Sequence, residues 1–440
     1  MRKKLIKTIS ASSSILLAAL TLSSCTHYDY TLVIYNWEDY IFEGTDEYGN
    51  IESPSTVDQF QEYYYEKYGK TVYVNYETFS TTEDMYNQIK AGSISPDLIC
   101  PSDYMIQKME KEGMLESFDY DVTTGEYGEK LSNFSEYGSP YIKDLFKREG
   151  FSTYAVPYFW GTMGYLYDPE NVDIEDASTW ELQFNQNYKG KIALKDSIRD
   201  TYATVILHVY KDEVNDLKDN HDNGTLTDEE YNTALSKIFN RCDNETLKKA
   251  ENALISLKKN IYGLETDEGK NEMVKGTYLI NTAWSGDAVY AMDEADELDK
   301  TLNYIIPDEG SNVWFDGWCM PKGANKDLAQ EFVNFICSPE IAAECMDYTG
   351  YTSPIVGDAI WDLVLENYQA DPEECECDLV DLSFYFGTEA KIYIDKEERG
   401  RQFDAQYPDQ ETLVRCCIMK DFGDQTSALN QMWSNFKAAF

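Results

Sequence analysis

The sequence predicts an α/β fold made of more than one domain, and three observations carry that reading. Short apolar runs alternate with amphipathic runs, in the order β-α-β-α, from residue 32 to residue 112. That is the pattern of a parallel sheet covered by helices. The chain has 440 residues, a length that favours two or three domains over one. Aromatic residues make up 14% of it, enough for a real core beside 27% charged residues.

The elements follow in order. The first strand is Leu32-Val33-Ile34-Tyr35, β-branched, aliphatic and aromatic as a covered strand requires. The character then changes to Trp37-Glu38-Asp39-Tyr40, two aromatics flanking two carboxylates. Open α/β sheets bind ligands just beyond the carboxyl ends of their strands. An aromatic-acid-acid-aromatic loop there suits an organic cation, with rings for its charge and stem and carboxylates for its ammonium. Taken alone, the same loop fits two core aromatics beside solvated acids. A tyrosine-rich helix over 55–68 and a strand over 71–79 come next. Ser80-Thr81-Thr82-Glu83 reads as a capping box opening a helix to about residue 90, with Gly92 past its end. Residues 97–100 form a short buried strand, and Pro101-Ser102-Asp103-Tyr104 turns into a helix ending near 112. Extended apolar runs at 154–160 and 164–167, on either side of Gly161, read as a crossing between two halves of the molecule. Residues 191–194 form a strand closed by 195–200 and a helix. The polar stretch 211–246 reads as an insertion plus a helical pair, and 245–259 as a helix. A strand at 277–284 leads into a helix over 285–294. Residues 304–307 and 313–316 flank a second crossing. Helices are expected at 327–337, 339–348 and 426–439, and the acidic stretch 358–409 shows little periodicity.

The N-terminus carries an address. Arg2, Lys3, Lys4 and Lys7 precede a short apolar run over 14–22, too short to span a bilayer and typical of a signal peptide. It ends in Leu22-Ser23-Ser24-Cys25, which resembles the bacterial lipobox, where the cysteine is lipidated and becomes the new N-terminus. The expectation is a signal peptide over 1–24, lipidation at Cys25, a tether over 25–30, and an extracytoplasmic body held to the membrane by acyl chains. An ordinary secretory signal is the alternative. The formal charge of −43 argues against nucleic acid as a partner, since phosphate binding needs a basic face, and it suits a cationic ligand. Nine cysteines follow Cys25, an odd number that cannot all pair internally. Cys375 with Cys377 and Cys416 with Cys417 are the near neighbours, and their spacings fit no zinc pattern.

Seven motifs then occur in a fixed order: Tyr35-Asn-Trp-Glu-Asp-Tyr40, Pro101-Ser-Asp-Tyr104, Val156-Pro-Tyr-Phe-Trp-Gly161, Asp196-Ser-Ile-Arg-Asp200, Ala283-Trp-Ser-Gly-Asp287, Trp314-Phe-Asp316 and Gly350-Tyr-Thr-Ser-Pro354. Together, over about 31–354, they resemble the spermidine/putrescine-binding proteins of bacterial polyamine ABC importers. The resemblance implies a two-lobe, periplasmic-binding-protein-like α/β fold with hinge strands and an interlobe ligand cleft. Lobe 1 would hold 31–155 and 312–352, and lobe 2 would hold 156–311 and 353–440. It further implies ligand contacts at Trp37, Glu38, Asp39, Tyr40, Ser102, Tyr104, Trp314, Asp316 and Tyr351 from the first lobe. Asp200, Trp284 and Asp287 would come from the second. Ser197 stands where spermidine binders of this type can carry an acid, and Asp287 is expected to supply the missing charge. The implied partners are a polyamine, permease subunits of an ABC transporter and the membrane. No cofactor is implied.

A polyamine needs carboxylates at matched distances and flat apolar walls between them, so several acids are required rather than one. Crowded acids would also repel amino acids, which carry a carboxylate of their own. Rival readings remain open on the sequence. A ferric-ion or other cation-binding lipoprotein would use some of the 35 tyrosines, and a structural surface lipoprotein would bind nothing. An enzyme is not expected: there are three histidines and no nucleophile elbow, phosphate loop or zinc signature. Asp219 to Glu230, with Asn223 at position 5 and Gly224 at position 6, resembles a calcium-binding EF-hand loop, although His221 at position 3 does not fit.

Overall fold

The structure, a computed structural model, describes residues 27–45, 50–51 and 53–438. The expected signal peptide and the lipidation site Cys25 lie outside the described residues, as does the start of the tether.

Eight strands form the main path of an 11-stranded sheet. They are β1 (Tyr30–Trp37), β2 (Val72–Phe79), β3 (Leu98–Ile99), β4 (Ala155–Tyr167), β5 (Ile192–Lys195), β6 (Gly263–Glu265), β7 (Ile280–Trp284) and β8 (Ser311–Pro321). Their order across the sheet is β2-β1-β3-β8-β4-β7-β5-β6. The expected parallel pairing holds within each half: β1 with β2 and β3, and β5 with β6 and β7. Between the halves the sheet is mixed, because β8 runs antiparallel to both β3 and β4.

β4 and β8 hold this arrangement together. Every one of their 13 and 11 residues is buried. They pair from Val313–Thr162 to Cys319–Ala155. The two extended runs expected on either side of Gly161 are therefore one continuous strand. Gly161 fits inside it because it has no side chain: a Cβ there would stand 2.8 Å from the Trp314 ring. The β4–β8 register slips between Asp316 and Gly317, and a bulge of this kind re-aims a side chain.

The one helix cap expected from the sequence, at Ser80, lies one residue early, and a cap that was not expected stands at Ser55. Ser55 caps Thr56–Tyr68 through a full capping box with Asp58. Thr81, not Ser80, caps Thr82–Lys90 and accepts from the Asp84 amide. The acidic stretch after 358 is structured after all. It contains the helix Asp358–Tyr368 and an antiparallel hairpin of Cys377–Asp381 with Lys391–Asp395. In the second hairpin strand Ile392 and Ile394 are buried while Lys391 and Tyr393 face water, a period of two that the acidic composition obscures. This stretch packs on both halves. The Ser139 hydroxyl donates to the Tyr385 carbonyl (2.8 Å), and Arg401 binds Asp296 (2.7 Å). Cys375 and Cys377 form a disulfide, whereas Cys416 and Cys417 are buried and unbonded.

Two hydrophobic cores result. One gathers side chains from β1–β3 and β8 with residues up to 418, and the other lies between β5, the helix Ile198–Val209 and the C-terminal helix Thr426–Ala438. Phe315 anchors the first, with ring centroids 4.2 Å from Phe146 and 4.7 Å from Phe151. Phe315→Ala should destabilise the protein by about 3–5 kcal/mol, the usual cost of emptying a packed aromatic site. Urea denaturation reads this, and a loss below about 1 kcal/mol would show that the centre of β8 is not load-sharing.

Candidate ligand-binding site

The β8 bulge sets the site. Where the register slips, the Gly317 amide donates to the Pro101 carbonyl (3.1 Å), and Asp316 forms an isolated bridge with Ser102. The 101–102 turn is thereby drawn onto β8, and the Ser102 hydroxyl donates to Asp316 Oδ1 (2.6 Å). The Tyr40 hydroxyl donates to Oδ2 (2.8 Å). Asp316 is 6% exposed. Burial pushes its carboxyl up to about 7 despite the two donors, and Asp200 adds to the rise. Hydroxyls satisfy its lone pairs, but no cation among the described residues forms a salt bridge with it.

An aromatic wall continues from Tyr40. Its ring meets Tyr351 edge to face at 5.1 Å and Phe159 at 5.0 Å, and Tyr351 meets Trp314 at 5.6 Å. Tyr351 lies directly on the backbone of Gly286, where a Cβ would fall 2.4 Å from the ring. Its hydroxyl donates to Asp287 Oδ1 (2.9 Å). Asp287 sits in the first turn of the helix Ser285–Asp296, just past the carboxyl end of β7. Its Oδ2 accepts from Lys195 Nζ (3.0 Å). That ammonium stands 4.1 Å above the Trp284 ring and 3.0 Å from Glu265. Asp200, in the first turn of Ile198–Val209, completes the group. Burial raises its carboxyl, opposed by hydrogen bonding with Ser197 and Trp284.

Tyr40, Ser102, Trp284, Asp287, Trp314, Asp316 and Tyr351 thus form one connected group across β4, β7 and β8, with Asp200 against Trp284. Four other expected residues are not drawn into it. Trp37 leans on Phe79 at 4.8 Å, and its indole N–H finds no acceptor among the described residues. Glu38 and Asp39 are exposed, Asp39 with φ at +51°. Tyr104 donates to Glu83 (3.1 Å) and carries the Arg199 guanidinium over its ring at 4.6 Å.

The expectation that Asp287 supplies a free charge needs correction. Burial alone would raise its carboxyl, but Lys195 and then Lys270 outweigh that and hold it below the ordinary value. Its charge is already matched. Lys195, Arg199 and Glu265 were not foreseen, although Lys195 ends β5 and so lies at the carboxyl end of a strand, the rule that singled out Trp37. The calcium loop does not gather. Asp219 lies inside the helix Lys211–Asp222, the Glu230 carboxylate caps its own helix at Thr227, and Asn223 accepts from Thr225. Among the described residues no cluster of three or more His, Cys, Asp or Glu side chains could hold a metal.

With this geometry in place, comparison with known proteins is informative. The model of the family described as bacterial extracellular solute-binding protein matches residues 55–373. The spermidine/putrescine-binding periplasmic protein of Escherichia coli K12 is 26% identical over 326 residues, covering 74% of this chain and 77% of its own. The E. coli putrescine-binding periplasmic protein PotF is 25% identical over 350 residues, covering 77% and 81%. Among solved structures, the substrate-binding protein PotD of a Streptococcus pneumoniae spermidine/putrescine ABC transporter is 26% identical. It superposes with a TM-score of 0.60 over 93% of this chain and 99% of that one. The TpPotD lipoprotein of Treponema pallidum, at 20% identity, shares the fold with a TM-score of 0.62, covering 92% and 99%. The two-lobe periplasmic-binding-protein fold is therefore the fold of this chain.

The Asp316 carboxyl has a pH signature. In the unfolded chain it ionises near 4, and in the folded protein near 7. Between those values the native state holds a proton that the unfolded chain has lost. This group's contribution to stability therefore falls as pH rises from about 4 to about 7 and is gone above that. Asp316→Asn should flatten that part of the pH–stability profile in urea titrations. A profile unchanged by the substitution would mean that Asp316 ionises normally. Gly286→Ala should lift the Tyr351 ring off the helix backbone, and a crystal structure of that variant with Tyr351 unmoved would rule the close packing out.

Proposed function

The chain belongs to the bacterial extracellular solute-binding protein family, and from that premise we propose that it captures a polyamine, putrescine or spermidine, and delivers it to an ABC permease for import. One observation carries the reading: Asp316 is a buried carboxyl group to which the described residues bring hydroxyl donors and aromatic faces but no salt-bridging cation. A ligand ammonium fits that need. It would accept the Asp316 charge, sit against Tyr40, Tyr351 and Trp314, and lay its methylene stem along the rings.

The magnitudes are consistent with several contacts acting together. Four buried methylenes contribute about 3 kcal/mol at roughly 0.8 each, whereas micromolar binding requires about 8. Charge-assisted hydrogen bonds and cation–π contacts, the latter about 0.5–2 kcal/mol each, make up the difference. Glu38 and Asp39 would stand at the mouth as exposed acids that favour the approach of cations. Tyr104 would act at the junction of the halves, where it packs against both cores. Lobe division at β4 and β8, with 31–155 and 312–352 facing 156–311 and the C-terminal part, supplies a hinge for closure. Lipidation at Cys25 would hold the body at the outer face of the cell membrane. The ferric-ion alternative runs against Tyr40 and Tyr351. Burial, with nearby acids adding, holds both phenols well above their ordinary value, and each donates to a carboxylate instead of offering a phenolate.

A thermal-shift series with putrescine, spermidine and spermine, against lysine and arginine, tests this. A polyamine at 100 times its Kd should stabilise the protein by about 2.7 kcal/mol, while the amino acids give no shift. Asp316→Asn should lose most of the polyamine shift. Stabilisation by none of the three polyamines would overturn the reading.

A further inference from the structure

Lys195 is a cation in a place where the reading above puts ligand cations. It is 1% exposed. Its ammonium lies over the face of Trp284 (4.1 Å), between Asp287 (3.0 Å) and Glu265 (3.0 Å), and donates to the Thr266 carbonyl (2.9 Å). Burial alone would depress it, but Asp287 and then Glu265 outweigh burial and hold it above the ordinary lysine value, so it is charged. An aromatic face, two carboxylates and a carbonyl around one primary ammonium make a complete recognition site for such a group. The lysine side chain is itself four methylenes ending in an ammonium, the same fragment as one end of putrescine. The site is continuous with the cleft, because Asp287 also accepts from Tyr351, whose ring packs on Tyr40 and Trp314. Asp316 and Asp200 differ from Asp287. Both are buried, both are raised chiefly by burial, and neither is salt-bridged among the described residues.

We propose that Lys195 is a resident ammonium: it fills the cation subsite formed by Trp284, Asp287 and Glu265, so that of the acids expected to meet a ligand Asp316 and Asp200 stay open and Asp287 does not, and the cleft selects a diamine over longer triamines. Asp103, also buried and without a salt bridge among the described residues, is turned to the Tyr104 amide (2.6 Å). The proposal rests on the amine-binding reading of the cleft and adds which end of that cleft is closed. A diamine brings two charges for two free acids. A triamine would bring a third ammonium into a half of the cleft whose acids are already neutralised, where Lys195 repels it. A purely structural salt bridge predicts none of this selectivity.

Removing the tethered cation should open the subsite. Lys195→Ala should raise the ratio of spermidine to putrescine affinity, measured by calorimetry, by about tenfold or more, on the order of one recovered charge contact. Adding Asp287→Asn to that variant should take most of the gain away. A probe independent of polyamine binding is n-butylammonium, the detached side chain. It should stabilise Lys195→Ala in thermal shift more than it stabilises the parent, whose Asp316 remains open to the same ammonium. If Lys195→Ala does not fold because Glu265 is left bare and Asp287 keeps only Lys270 at 3.8 Å, Lys195→Ala/Glu265→Gln carries one fewer acid and takes its place in both measurements. A folded variant with an unchanged affinity ratio and no larger response to n-butylammonium than the parent overturns the proposal. If parent and variant bind no polyamine, the functional reading fails, and the n-butylammonium titration alone decides whether Lys195 fills an ammonium site.

Discussion

A carboxylate taken out of water without a cation is costly unless something else stabilises its charge. At Asp316 the side chains that bond the carboxyl among the described residues are hydroxyls, and the surrounding elements set them there. The β8 bulge re-aims the side chain, the 101–102 turn closes over one oxygen, and Tyr40 closes over the other. Phe159 and Tyr351 pack on the Tyr40 ring, and Trp314 packs on Tyr351. The result is a site that is unfavourable when empty and improved by any partner that brings a positive charge and an apolar stem. If the proposed ligand binds there, stability is given up locally for recognition, the usual trade at functional sites.

The second half of the site resolves the same problem in the opposite way. There the buried acids Asp287 and Glu265 are answered from within by Lys195, and the aromatic face of Trp284 is already covered. Arg199 plays a related part farther along, lying between the rings of Tyr104 and Phe422 and donating to the Lys420 carbonyl. The two halves share one vocabulary of acid and ring but differ in how many of their acids are free. On the proposed reading that difference, more than the total negative charge, would decide how many ammonium groups the cleft takes.

Much of this was legible in the sequence, for identifiable reasons. The β-α-β-α order, the tyrosine-rich helix after residue 55 and the apolar runs of β1 and β4 are local signals, and each sits where its residues place it. Tyr40, Asp316, Trp314 and Tyr351 could be picked out because their motifs keep a fixed order. What stayed hidden depends on pairing between distant strands. Nothing local tells that β8 runs antiparallel to β3, or that its register slips beside Asp316. Lys195 escaped notice because a lysine at a strand end reads as solvated; only its burial beside Asp287, 92 residues away in sequence, gives it meaning. The hairpin after residue 377 was masked because its faces mix, with Asp378 on the side of Val380, Ile392 and Ile394 while Leu379 and Tyr393 lie outward.

The most direct test of the account is the ionisation of Asp316 itself, followed by carbon NMR of its carboxyl group across a pH titration, with and without saturating putrescine. The account predicts a midpoint near 7 in the free protein and a midpoint lower by at least about one unit with ligand bound, since an opposite charge within a few ångströms favours the carboxylate. A free-protein midpoint near 4, or one that putrescine leaves where it was, would contradict it.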